Sequence, residues 1–170
     1  MDERSQPRAG RRRLTHVDRG GRPRMVDISA KPITARRAVA EAEVVCSQET
    51  LSLVIDGRGP KGDVLTVAEI AGVMGGKRTA ELIPLCHPLP LTHASVDFEP
   101  EGHGMRITAV AETDGKTGVE MEALTAAGVA ALTLYDMCKA VDRGMVVTDV
   151  KLLSKEGGRS GTWTRGKDEA

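Results

Sequence analysis

Residues Val119–Val141 read VEMEALTAAGVAALTLYDMCKAV. Met121, Leu124, Gly128, Leu132, Tyr135 and Cys138 recur at steps of three or four, which predicts a long helix with these residues as its apolar stripe. Arg143–Gly144 ends it. Upstream, Thr92–Phe98 and Met105–Glu112 read as two strands joined by Glu99–Gly104, and downstream Met145–Leu153 reads as another. Arg37–Ser47 alternates Ala and Val with Glu and reads as a strand. Gln48–Ile55 reads as a short helix ending at Gly57, and the loop DGRGPK (Asp56–Lys61) follows. Asp63 is placed to cap a helix running to about Lys77, with Val67, Ile70, Ala71 and Met74 on one face. Gly72, Gly75 and Gly76 count against that helix by up to about 1 kcal/mol each. One further helical turn is expected at Thr79–Leu82, and the alternation in Met25–Lys31 predicts a short early strand.

From residue 37 the order is β-α-β-β-α-β. That order predicts an α+β, ferredoxin-like sandwich: an antiparallel sheet covered on one face by two helices, with extra N-terminal elements. The second sheet face also needs cover, and the alternating Ala and Val positions are expected to pack there against another subunit.

The 170 residues suit one domain. Residues 1–13 hold five arginines against Asp2 and Glu3 and almost no apolar side chain, so they read as a disordered Arg-rich tail. Residues 14–163 form the single folded domain, and 164–170 a flexible C-terminus. The chain carries 24 basic and 24 acidic residues, which excludes a broad polyanion-binding surface. The tail is net +3, however, leaving −3 for the rest, and a confined basic pocket remains compatible with that balance. With one Trp, one Tyr and one Phe, a nucleic-acid platform of stacked aromatics is not expected. The three cysteines, Cys46, Cys86 and Cys138, form no CxxC, and no apolar run is long enough to span a bilayer. A cytoplasmic protein without nucleic-acid or membrane partners is expected.

The densest unusual segment is GGKRTAELIPLCHPLP, Gly75–Pro90. Lys77 and Arg78 follow two glycines, but the pattern is no P-loop, because Arg78 stands where Ser or Thr is required and the context is helical. A solvated basic helix end accounts for them as well as a phosphate contact does. Cys86, His87 and His93 match no zinc spacing, and no metal is expected. His87 lies in a proline-stiffened segment, as a positioned ligand contact or as a turn histidine bonded to backbone. Asp136 and Lys139 are i,i+3 neighbours, which fits either a helix salt bridge or an acid/base pair. Glu122 and Asp136 stand about 21 Å apart along one helix at 1.5 Å per residue. One compact substrate cannot touch both unless a second subunit shares the site. Lys61, before a helix N-terminus, and Lys155, before the turn GGRSG, extend the set of candidate anion contacts.

Three stretches together carry a resemblance: LTHVDRGGRPRMVDISAK (Leu14–Lys31), KGDVLTVAEIAGVMGGKRTAELIPLCHPLPL (Lys61–Leu91) and KTGVEMEALTAAGVAALTLYDMCKAV (Lys116–Val141). They resemble the cyclic pyranopterin monophosphate synthase family, that of molybdenum-cofactor biosynthesis protein C (MoaC), over about Leu14–Trp163. The resemblance implies a lyase. It would convert (8S)-3',8-cyclo-7,8-dihydroguanosine 5'-triphosphate to cyclic pyranopterin monophosphate, releasing pyrophosphate, with no cofactor. It implies Asp136 as the catalytic acid/base with Lys139 and Lys61 as partners. Leu85, Cys86 and His87, and Met121 and Glu122 with Glu120 beside them, would bind substrate. Lys31, Arg36, Lys77 and Lys155 would contact phosphate. It further implies a homohexamer, a trimer of dimers with sites between subunits. The alternative, a non-catalytic ferredoxin-like module that binds a nucleotide and regulates a partner, leaves Asp136–Lys139 as an ordinary ion pair.

Overall fold

The computed structural model describes residues 20–166; the Arg-rich tail expected at 1–13, and residues 167–170, lie outside that range. The elements in chain order are β1 (Thr34–Val45), α1 (Gln48–Ile55), α2 (Val64–Lys77), α3 (Thr79–Leu82), β2 (His93–Glu101), β3 (Gly104–Gly115), α4 (Glu120–Cys138), β4 (Val146–Glu156) and β5 (Trp163–Thr164). The strands form one sheet in the order β2-β3-β1-β4-β5, with every neighbouring pair antiparallel. The first four strands, with α2 and α4, make the ferredoxin-like sandwich that the pattern predicts.

Local chemistry explains the boundaries. The Asp63 carboxylate accepts the Thr66 backbone N–H at 3.0 Å and starts α2, while the Ser47 hydroxyl accepts from Thr50 N–H and starts α1. The hairpin between β2 and β3 is tighter than the expected six-residue link: the strands run on to Glu101 and Gly104, and Gly102 turns the chain at φ 56°. Met25–Lys31 is no strand. It runs over the surface with the Asp27 carboxylate accepting from Ser29 N–H, and no sheet edge pairs with it. Beyond Trp163 the chain is held for at least two residues, since Thr164 pairs with Ser154 and the Arg165 N–H reaches the Leu153 carbonyl at 2.8 Å.

The helix faces differ from those the apolar periodicity suggests. On α4 the buried apolar residues are Ala123, Ala126, Ala127, Ala130, Ala131, Leu134, Met137 and Cys138; of the expected stripe Cys138 is buried and Leu124 and Tyr135 pack against the core, whereas Leu132 is 61% exposed and Met121 is exposed as well. On α2, Val67, Ile70 and Met74 face outward, and Val64, Ala68, Gly72, Gly75 and Gly76 face in. The reason is close approach. A Cβ on Gly72 would sit 2.9 Å from the Ala126 carbonyl oxygen and 3.1 Å from the Ala130 Cβ, and one on Gly75 would sit 2.8 Å from a Val129 methyl. The glycines that weaken α2 by propensity let it lie nearly backbone to backbone on α4, where dispersion contacts are densest.

The sheet obeys the same logic. Ala38, Ala40, Ala42 and Val44 of β1, with Met105, Ile107, Ala109 and Ala111 of β3, point under the helices. The far face is therefore not the Ala/Val surface expected. It carries ion pairs, Arg37 with Glu112 at 3.1 Å, Arg106 with Glu41 at 3.5 Å and Lys151 with Glu41 at 3.3 Å, around a central Val39–Val110 pair. Exposed apolar side chains remain on the sheet at Val45, Val146 and Val150, and stand on the helices at Val67, Ile70, Met74 and Leu132.

Candidate active site

The expected site residues fall into two groups at opposite ends of α4. At its N-terminal end, a cavity of about 530 Å³ is lined by Lys31, Leu85, Cys86, His87, Glu120, Met121 and Glu122, together with Val26, Ile28, Leu89, Thr117, Gly118 and Arg159. That volume suits a nucleotide-sized ligand. Seven residues expected as substrate contacts thus share one wall. Arg36 and Lys155 stand just behind it, in a small recess that shares Gly118 and Glu120 with the cavity. Lys77 lies elsewhere: it ends α2 and lines a second cavity of about 350 Å³, which meets the first at Glu122 and Leu89.

The charges in the larger cavity are arranged unevenly. Lys155 Nζ pairs with Glu120 at 2.7 Å, and Arg36 Nε donates to the Gly115 carbonyl at 3.4 Å. Among the described residues, Lys31 and Arg159 make no ion pair and no side-chain hydrogen bond. Lys116 Nζ bonds the Ser29 carbonyl at 2.7 Å and ties the cavity-lining segment of Val26 and Ile28 to the end of β3. His87 lines the cavity, and among the described residues its imidazole makes no hydrogen bond to backbone.

Glu122 is the buried carboxylate of the site, 4% exposed. Burial raises its pKa to about 6, opposed by a hydrogen bond from its own backbone N–H and assisted by the Glu120 charge. Burial also raises the Cys86 thiol, with the Glu122 charge contributing. A carboxyl raised in this way costs stability when ionised, so folding weakens as pH rises from about 4.5 toward 6. Glu122→Gln is therefore expected to stabilise the fold by up to about 2 kcal/mol near neutral pH and to flatten that slope. Urea unfolding at the two ends of the pH window checks this; equal slopes in parent and variant would remove the cost assigned to Glu122. A group that destabilises its own fold is a functional candidate.

At the other end of α4, Asp136 is clasped by two ammonium groups. Lys139 Nζ lies 2.6 Å from Oδ1, and Lys61 Nζ lies 2.7 Å from Oδ2 and 2.9 Å from the Asp136 carbonyl. Lys61 is positioned by the turn Gly59–Gly62, closed by the Gly62 N–H to the Gly59 carbonyl at 3.0 Å. The Lys139 and Lys61 hydrogen bonds lower the Asp136 pKa to about 2, and the Asp136 carboxylate raises that of Lys139. All three side chains are about half exposed. The cluster is thus an open constellation of one carboxylate and two ammonium groups at the surface.

Arg159 escaped the sequence reading. Its only local signal is its place inside GGRSG, between glycines. Gly118 is explained by Glu120, whose carboxylate folds back into the space a Cβ would fill.

A family model described as the MoaC family matches residues 25–158. The chain is similar to a protein of Chloroflexus aurantiacus named cyclic pyranopterin monophosphate synthase, with 58% identity over 89% of this chain and 94% of that protein. It is similar to proteins of the same name from Thermomicrobium roseum, at 59% identity over 92% and 96% of the two chains, and from Cereibacter sphaeroides, at 59% over 87% and 94%.

Proposed function

This chain belongs to the MoaC family, and from that premise we propose that it is a cyclic pyranopterin monophosphate synthase of molybdenum-cofactor biosynthesis. It converts (8S)-3',8-cyclo-7,8-dihydroguanosine 5'-triphosphate to cyclic pyranopterin monophosphate and diphosphate. The observation that carries the reading is the large cavity, where a buried carboxyl, Glu122, stands within one chamber with Lys31 and Arg159, cations that form no ion pair among the described residues. A carboxylate accepts the N–H donors of a guanine-derived ring, and cations hold a triphosphate. Ring opening, ring closure and phosphate cyclisation need proton transfers and anion stabilisation. Asp136, Lys139 and Lys61 supply the first, and Lys31, Arg36, Lys77 and Lys155 the second. The regulatory alternative is not favoured.

The separation of the two clusters supports an oligomer with shared sites. Asp136 stands about 21 Å along α4 from Glu122, so the cavity of one subunit is completed by the Asp136 cluster of another. We read the assembly as a homohexamer, a trimer of dimers. The outward Val67, Ile70 and Met74 of α2 and Leu132 of α4 are apolar side chains that an interface would cover. Three free thiols, Cys46, Cys86 and Cys138, suit a reducing cytoplasm. The test is direct: the purified chain, given the cyclic dihydro-GTP, is expected to yield the pterin and diphosphate in equal amounts. No diphosphate above the protein-free control would overturn the assignment.

A further inference from the structure

We propose that Arg159 binds the departing diphosphate half of the substrate's triphosphate, as a substrate-contacting residue beyond the four cations named above. The inference rests on the reaction just proposed. In the cyclisation a substrate hydroxyl oxygen bonds to the α-phosphorus and its proton passes to a base. The bond from the α-phosphorus to the bridging oxygen breaks, and its electron pair leaves with the diphosphate. Negative charge therefore accumulates on the β and γ groups, and the chain must meet it with cations whose charge is not already satisfied.

The cations at the cavity meet that condition unequally. Lys155 shares its charge with Glu120 at 2.7 Å, while Arg36 donates only to the neutral Gly115 carbonyl and keeps its charge. Arg159 lines the cavity and, like Lys31, has no ion pair or side-chain hydrogen bond among the described residues. It is also presented on a closed turn. It occupies the second position of the turn Gly158–Gly161, which the Gly161 N–H closes on the Gly158 carbonyl at 3.2 Å. Gly158 has φ 70°, and a Cβ there would lie 2.1 Å from Arg36 Nη1. Gly158 adopts a left-handed conformation that favours glycine and lies against the Arg36 guanidinium, so the turn that carries Arg159 packs on Arg36. A guanidinium offers paired N–H donors that match phosphate oxygens. The side chain is exposed, which leaves a path for the product to depart.

The experiment compares the parent chain with Arg159→Ala and Arg159→Lys. Calorimetry measures binding of inorganic pyrophosphate to each, and diphosphate release from the cyclic dihydro-GTP gives kcat and KM. Arg159→Ala is expected to weaken pyrophosphate binding about 10- to 100-fold and to lower kcat/KM comparably. Arg159→Lys, which keeps the charge but not the fork, should recover part of both, and the melting temperature should not move. Pyrophosphate affinity and kcat/KM within about twofold of the parent in Arg159→Ala would overturn the proposal, as would a parent that binds no pyrophosphate. A parent that binds pyrophosphate through Arg159 but never turns over the cyclic dihydro-GTP would retain the anion site and discard the reaction.

Discussion

Replacing Asp136 by Asn is expected to lower kcat by roughly 10²- to 10⁴-fold, the span of general acid/base catalysis, with fold and pyrophosphate binding retained. The amide keeps the shape of the carboxylate and removes its charge. In the parent, that charge holds Lys139 at 2.6 Å and Lys61 at 2.7 Å. With a pKa of about 2, the free carboxylate stays ionised at neutral pH and is a weak base while both lysines grip it. Its work in this geometry is to fix two ammonium groups and to keep Lys139 protonated to higher pH than an isolated lysine. It turns into a stronger base once substrate draws a lysine away, because each lysine hydrogen bond that goes returns its pKa toward the ordinary carboxylate range. The Asn variant thus loses the base and also lets the Lys139 pKa fall, so its residual pH–rate profile should lose activity at lower pH on the alkaline limb. The measurement is kcat across the alkaline range for parent and variant. A variant with near-parental turnover would leave Asp136–Lys139 as a surface ion pair. Because the cluster is half exposed, the change in folding stability should be small.

Mixing two inactive variants is expected to restore activity. If each site joins the Glu122 cavity of one subunit to the Asp136 cluster of its neighbour, Asp136→Asn and His87→Ala abolish different halves. A chain carrying Asp136→Asn still offers an intact cavity, and one carrying His87→Ala an intact acid/base cluster. In a randomly reassorted two-fold dimer, half of the dimers are mixed and each mixed dimer holds one complete site. The ceiling is therefore about a quarter of parental activity. The two proteins would be unfolded or dissociated together, reassembled, and assayed for diphosphate release against each variant treated alone. Recovery to near that ceiling from a background below about 1% would be a change of more than tenfold. A mixture no more active than its components would show that one chain supplies the whole site, in conflict with the 21 Å separation along α4.

The element order was legible because turn chemistry and periodicity agree with the fold. Ser47, Asp63, Gly57 and Gly102 stand where caps and turns need them, and α1 and α3 fall where the pattern puts them. The faces of the helices were not legible. Periodicity weights large apolar residues, so it chose Leu132, Val67, Ile70 and Met74 for the core. Where α2, α4 and the sheet approach closely, the core is instead lined by Ala and Gly, with Met105, Ile107 and Leu134 as its larger members. The large side chains left outside are surplus to a single chain's packing. In the site, Leu85, Cys86, His87, Met121 and Glu122 were legible as contiguous words and do share one cavity. Arg159 was not, since its role depends on a turn folding back from β4 onto Arg36. That contact links residues more than a hundred positions apart, which local spacing does not encode.

The α4 helix described above has an evolutionary consequence. If its two ends serve two different cavities, it is a ruler shared between neighbouring sites. Inserting or deleting one residue near Val129 would turn one end against the other by about 100° and spoil two sites in a single event. Lengthening the chain is tolerable in the hairpin at Gly102, but the span from Glu122 to Asp136 can change its letters and not its length.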